Sequence, residues 1–261
     1  MSRRRWLVAH GCMLVLLAWA GLARAETLVI AGDIWCPVNC QPGSERPGIL
    51  VELAQEIFAE AGIEVQYKAL NWARTLQMVR RGELNAAVGA GVEDAPDFLY
   101  GATPVASSRS CFFTRQDSTW RFTGTASLAQ RRLGVINDYS YGDELNTYIA
   151  LHRNDSERVQ IASGDKALAL NIGKLMHGRV DVVLENAWVM QAMQAMLATQ
   201  GRVGELREAG CRAPDVPIYL AFSPVLESSP RYVALFEQGL QRYRANGRLQ
   251  ALLAAYGVQT P

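Results

Sequence analysis

The sequence predicts an α/β protein of two lobes, each a parallel-rich sheet with helices on both faces, with a cleft between the lobes. Three observations carry that reading. A β-α-β-α-β order runs through residues 27–90. The same order returns about a hundred residues later, through 133–184. The segments that close the two units read alike: Gly82-Glu-Leu-Asn-Ala-Ala-Val and Gly178-Arg-Val-Asp-Val-Val-Leu. Strands alternating with helices predict parallel sheets with both faces covered.

In the first unit, Thr27-Leu-Val-Ile-Ala31 reads as a buried strand. Gly32 to Gly48 is a long loop with prolines at 37, 42 and 47. Leu50, Leu53, Ala54, Ile57, Phe58 and Ala61 fall on one helix face, and Gly62 stops that helix. Val65, Tyr67 and Ala69 alternate as a strand does. Trp72 to Arg81 is a helix ended by Gly82, and Ala86 to Ala90 is a strand of small residues. In the second unit the strands are Leu133–Ile136, Val159–Ala162 and Val180–Leu184. The helices are Asp143–Leu151, whose acidic first turn suits the helix dipole, and Lys166–Met176, closed by Gly178. Pro217 to Phe222 is a late strand, and helical patterns cover Arg231–Arg244 and Leu249–Tyr256.

Residues 1–25 predict a cleavable secretory signal peptide: Arg3, Arg4 and Arg5, an apolar run from Met13 to Ala20, and Ala23-Arg24-Ala25 before Glu26. The run is too short to span a bilayer comfortably. Losing four arginines takes the formal charge from +1 to −3, which gives no sign of nucleic-acid or anionic-membrane binding. An exported chain with Cys36, Cys40, Cys111 and Cys211 left predicts two disulfides. Three pairings are open; Cys36–Cys40 closing a small loop, with Cys111–Cys211, is favoured. The Cys36/Cys40 spacing is not CxxC, and His152 and His177 are distant, so neither a metal nor a cofactor is expected. No Ser/His/Asp or Cys/His constellation stands out.

Several segments in order resemble one family. These are Gly48-Ile-Leu-Val-Glu-Leu-Ala, Trp72 thirteen residues before Asn85, Thr103-Pro104-Val105, Leu133-Gly134-Val135 followed by Tyr139-Ser140, and Gly178-Arg179-Val180-Asp181. Together they resemble the family 3 periplasmic solute-binding proteins, which serve polar amino-acid ABC transporters. The resemblance implies the two-lobed type II periplasmic binding-protein fold. The duplicated β-α-β-α-β order and the two crossings it implies divide the mature chain into lobe 1 (26–106, with 223–261 returning to it) and lobe 2 (107–222). Hinges are expected near Thr103–Arg109 and Leu220–Pro224.

The resemblance also implies a site. Trp72 falls where an aromatic stacks on the ligand, Trp35 where an aromatic faces the cleft, and Ser140 where a hydroxyl binds a ligand carboxylate. Gly89, Ala90 and Gly91 offer backbone groups. Trp72 can equally be a core residue, and Ser140 a helix cap. Two positions depart from the family. Asp97 stands where a carboxylate-clamping Arg is expected, and Asn186, beside Glu185, where the amino-group Asp is expected. An Asp would repel the carboxylate that an Arg fork would hold. Arg74 is the replacement cation to consider, against its plain reading as a solvated helix-face residue. If the Glu93/Asp94/Asp97 cluster faces the cleft, it favours a cationic ligand.

The expected function is therefore non-catalytic: a monomer in the periplasm captures a small polar solute for an inner-membrane permease. The alternatives are an enzyme on the same fold, similar to the periplasmic cyclohexadienyl dehydratases, and a sensing subunit for a separate receptor. For the enzyme, Glu185 and then Asp181 are the proton-transfer candidates.

Overall fold

The computed structural model describes residues 26–258 apart from 165 and 203; the expected signal peptide, 1–25, lies outside them. The first sheet contains β1 (Glu26–Gly32), β2 (Ile63–Ala69), β3 (Ala86–Ala90), β4 (Ala106–Ser108) and β10 (Val216–Phe222). The second contains β5 (Ser110–Arg115), β6 (Leu133–Ile136), β7 (Val159–Ala162), β8 (Val182–Asn186) and β9 (Leu206–Cys211). Their strand orders match: β2-β1-β3-β10-β4 and β7-β6-β8-β5-β9. In each, three parallel strands come from the β-α-β-α-β unit. An antiparallel strand, β10 or β5, then extends the sheet.

The first sheet is covered by α1 (Ile49–Ala59), α2 (Trp72–Arg80), α6 (Ser229–Ala245) and α7 (Arg248–Ala255). Phe58 of α1 is the centre of one core face, stacked with Phe236 and edge-on to Phe222 and Tyr232. Trp72, Leu76 and Val79 of α2 pack with Ala87, Ala90 and Phe98 on the other face. The second sheet carries α3 (Asp143–His152), α4 (Ala167–Met176) and α5 (Ala187–Thr199). Asn186 starts α5: its Oδ1 accepts from the backbone N–H of Trp188 at 2.7 Å and of Val189 at 3.2 Å.

Strand β10 corrects the expected division. The sequence reading places residues 107–222 in one lobe, but β10 hydrogen-bonds to β3 and β4 and so belongs to the first sheet. Its apolar residues Ile218, Leu220 and Phe222 complete that sheet's core, where both neighbours present strand edges to it. The chain therefore crosses between sheets at Arg109 and again at 212–215, not at Leu220–Pro224. Both crossings are braced. Cys111–Cys211 joins β5 to β9 beside them. Arg109 bridges to Glu208 at 3.2 Å, and the Arg212 N–H donates to the Ser110 carbonyl at 3.0 Å.

The second disulfide, Cys36–Cys40, closes the loop after β1. Trp35 and Asn39 bridge across it. The first N–H groups of α1 would otherwise lack partners; Ile49 and Leu50 donate to the Pro37 and Val38 carbonyls at 2.9 and 3.0 Å. Gly48 (φ 114°) makes this junction possible, since a Cβ there would sit 2.6 Å from the Val38 oxygen.

Candidate functional site

Ligands of open α/β sheets bind at the carboxyl ends of parallel strands, and here both sheets point those ends into one cleft. Counting the solvent at its mouth, to which it is partly open, it spans about 530 Å³. From the first sheet come Asp33 and Trp35 after β1, Gly89 and Gly91 at the end of β3, Asp94, Trp72 and Ser108. The second sheet contributes Ser110, the Tyr139-Ser140-Tyr141 segment after β6, and Glu185 and Asn186 at the end of β8. A smaller cavity of about 330 Å³ shares Asp33, Trp35, Tyr139 and Glu185 with the cleft, so those four form a wall between two spaces.

Among the described residues, four side-chain to side-chain hydrogen bonds cross the cleft between the lobes. Trp35 Nε1 donates to Glu185 Oε1 at 3.2 Å. Tyr139 donates its hydroxyl to Asp33 Oδ2. Ser140 Oγ donates to Glu93 Oε2 at 3.0 Å. Asn186 Nδ2 donates to Ser108 Oγ at 2.8 Å. Glu185 is 1% exposed. Its Oε1 also accepts from the Asn186 N–H at 2.7 Å, while its Oε2 is buried with no hydrogen-bond partner among the described residues. Burial pushes the Glu185 carboxyl up to about 7, against the pull of those two donors. Asp94 is likewise raised to about 7 by burial, although the backbone N–H groups of Gly91 and Ser140 both hold its carboxylate. Burial raises the Tyr139 and Tyr141 hydroxyls well above their ordinary range, so both are neutral donors.

Of the expected site residues, Trp35, Trp72, Gly89, Gly91, Ser140 and Asn186 line the cleft. Gly89 (φ 86°) lets Trp35 lie close: a Cβ there would be 3.4 Å from the Trp35 ring. Ala90 does not line the cleft; it is fully buried and packs in the apolar cluster that includes Trp72, Leu76 and Val79 of α2. Arg74 is exposed on α2 and does not line the cleft either; its backbone N–H is held by the Asn71 cap. Asp97 is paired with Arg80 on that same helix, at 2.7 and 2.8 Å, and faces solvent. Asp181 forms a two-pronged ion pair with Arg132 away from the cleft. The Arg212 guanidinium packs against Gly142 at the start of α3. Among the described residues, the charged groups lining the cleft are all carboxylates: Asp33, Asp94 and Glu185.

The sequence profile of the bacterial extracellular solute-binding proteins, family 3, matches residues 28–259. The chain belongs to that family. No curated protein matches this family 3 chain. Solved structures share its fold. A histidine kinase sensor domain with similarity to periplasmic binding proteins superposes with a TM-score of 0.71 at 18% identity, over 91% of this chain and 99% of its own. The amino acid ABC transporter substrate-binding protein AbpA of Streptococcus pneumoniae, bound to L-arginine, gives 0.69 at 17%, over 88% and 94%. A chain from a study of glutathione import via GshT and the cystine importer TcyBC of Streptococcus mutans gives 0.72 at 18%, over 88% and 94%.

Sequence reasoning leaves Asp33, Ser108, Ser110 and Tyr141 of this family 3 site unnamed. Asp33 carries a usable signal: it directly follows a buried parallel strand, where cleft residues gather. Ser108 and Ser110 flank the interlobe crossing in short strands without a periodic pattern, and nothing local marks them.

Proposed function

We propose that this family 3 protein captures a small polar solute in the cleft and, closed around it, presents it to an ABC transporter permease at the inner membrane. On this reading it works in the periplasm as a monomer with a cleaved signal peptide. The observation that carries the proposal is the cleft itself, walled by both sheets and joined by two short crossings. Lobes so connected can open and close, and a ligand touching both shifts the balance toward closure. A thermal-shift screen of residues 26–261 against amino acids, amines, small carboxylates and sugars tests capture. A ligand at a hundred times its dissociation constant adds about 2.7 kcal/mol. No stabilisation by any polar solute would refute capture. Co-purification of the closed form with an inner-membrane permease tests delivery.

A second reading has its own observation: the buried Glu185 carboxyl, held near neutrality, could exchange a proton with a bound solute. A ligand found in the screen but recovered chemically changed after incubation would favour this dehydratase-like reading over capture.

A further inference from the structure

We infer that the cleft takes an organic cation lacking a carboxylate, an ammonium or guanidinium held by Glu185, Asp33 and Asp94 beside the Trp35 and Trp72 rings. This rests on the solute-binding reading and specifies its ligand class. Glu185 makes the first argument. It lies at the strand end, 1% exposed, and Oε2 has no hydrogen-bond partner among the described residues. A buried carboxylate oxygen without a donor is costly, and a charged N–H donor is the partner that satisfies it best.

The second argument is that the place for a ligand carboxylate is taken. The N–H groups of Gly91 and Ser140 converge on the Asp94 carboxylate, which comes from the protein itself. The Ser140 hydroxyl is engaged by Glu93 at 3.0 Å and by Asn146 at 3.0 Å. A ligand carboxylate entering there would meet Asp94 and Glu93 rather than free donors, and like charges repel. Of the cations near the cleft, Arg80 pairs with Asp97 and Arg74 is exposed; the Arg212 guanidinium packs against Gly142, its Nη1 buried without a hydrogen-bond partner among the described residues, and it does not line the cleft.

Third, two indole rings border the same space as the three acids. Aromatic faces attract cations, and do so more strongly when the cation is desolvated. Burial holds Glu185 and Asp94 near 7, so a cation must displace a proton to bind. The groups facing Glu185 are Asp33 and Trp35 after β1, Tyr139 and Tyr141 after β6, and the neighbouring Asn186. Neither tyrosine titrates in the neutral range. Releasing one proton from a group near 7 makes affinity rise about tenfold from pH 6 to pH 8.

Calorimetry on residues 26–261 with two matched pairs tests this: agmatine against L-arginine, and putrescine against L-ornithine, each at pH 6 and pH 8. The decarboxylated member is expected to bind at least about tenfold tighter, with affinity rising with pH. Glu185→Gln is expected to lose about tenfold of that affinity and to weaken its pH dependence, the remainder coming from Asp94; a circular dichroism melt confirms that the variant folds. L-arginine or L-ornithine binding as tightly as its amine overturns the inference and leaves solute capture standing. Loss of that amino-acid affinity in Arg212→Gln would then mark Arg212 as the carboxylate clamp. Failure of both amines to bind also overturns it, whereas the wider thermal screen decides capture independently.

Discussion

Glu185→Gln separates the charge of the cleft from its shape. Gln keeps an oxygen for the Trp35 and Asn186 donors and replaces the unpartnered Oε2 with an amide nitrogen. Burial holds the Glu185 carboxyl at about 7 in the folded protein, against 4.5 for an ordinary glutamate, so the neutral form is the one the fold prefers. A carboxyl raised on folding contributes stability in full below its unfolded pKa. That contribution is lost as pH climbs through the folded value. Integrated between pH 5 and pH 8 with these two values, wild type loses about 2–3 kcal/mol that the variant does not, since a tenfold change in proton affinity corresponds to about 1.4 kcal/mol. Urea melts of both proteins at the two pH values read the difference directly. The surface carboxylates held low by ion pairs, such as Glu26 with Arg231 and Asp97 with Arg80, are common to both proteins and cancel. Stability curves that stay parallel from pH 5 to pH 8 would refute the reasoning: Glu185 would then be ionised in the folded protein at low pH, and its burial would be compensated by something else.

Three other variants probe the cleft wall, the bracing and the core. Trp72→Ala is expected to weaken binding of any cleft ligand by about 1–3 kcal/mol if the ring touches it, and to cost about 3–5 kcal/mol of stability if its role is the α2 core; calorimetry and urea melts on one variant measure both. The double change Cys111→Ser with Cys211→Ser removes a bridge spanning 100 residues and is expected to lower stability by about 3–5 kcal/mol, seen as a lower urea midpoint than wild type under non-reducing conditions. Gly239→Ala on α6 would drive a methyl into Ile57 of α1, with an expected cost of about 1–3 kcal/mol by the same measurement.

The fold is legible where its signals are local. Each β-α-β-α-β unit announces itself through apolar periodicity and glycine stops, and Gly62, Gly82 and Gly178 sit at positive φ where the helices end. Strands β4, β5 and β9 and helix α5 carry no such signal. Cys111, Phe112 and Phe113 are buried without alternation because β5 lies inside its sheet, and α5 is apolar nearly all round. Strand β10 is recognisable as a strand but not assignable to its sheet, since pairing with β3 across more than a hundred residues leaves no local mark. In the site, aromatic and glycine positions can be carried by resemblance. Charge cannot: whether Asp94 or Asp97 turns inward depends on one turn of loop, which leaves the first half-buried at the cleft and the second beside Arg80 in solvent.

That turn also bears on closure. Three of the four side-chain hydrogen bonds across the cleft place a carboxyl group of one lobe against a neutral donor of the other: Tyr139 to Asp33, Ser140 to Glu93, and Trp35 to Glu185. Hydrogen bonds to charged groups contribute roughly 1.5–3 kcal/mol each, more than neutral ones, a gain that reaches the Trp35–Glu185 bond only once Glu185 has lost its proton. Asp94 adds a fourth carboxylate, since it belongs to the first lobe and accepts from the Ser140 backbone of the second. A solute with its own carboxylate could join two lobes by bridging donors on each. Here the protein's acids already make those bridges, so a ligand gains little by supplying another anion. Among the described residues, the cleft lining carries acids and no cationic side chain. A cation therefore has the larger difference in affinity between closed and open lobes, and that difference is what limits how far any ligand can shift them.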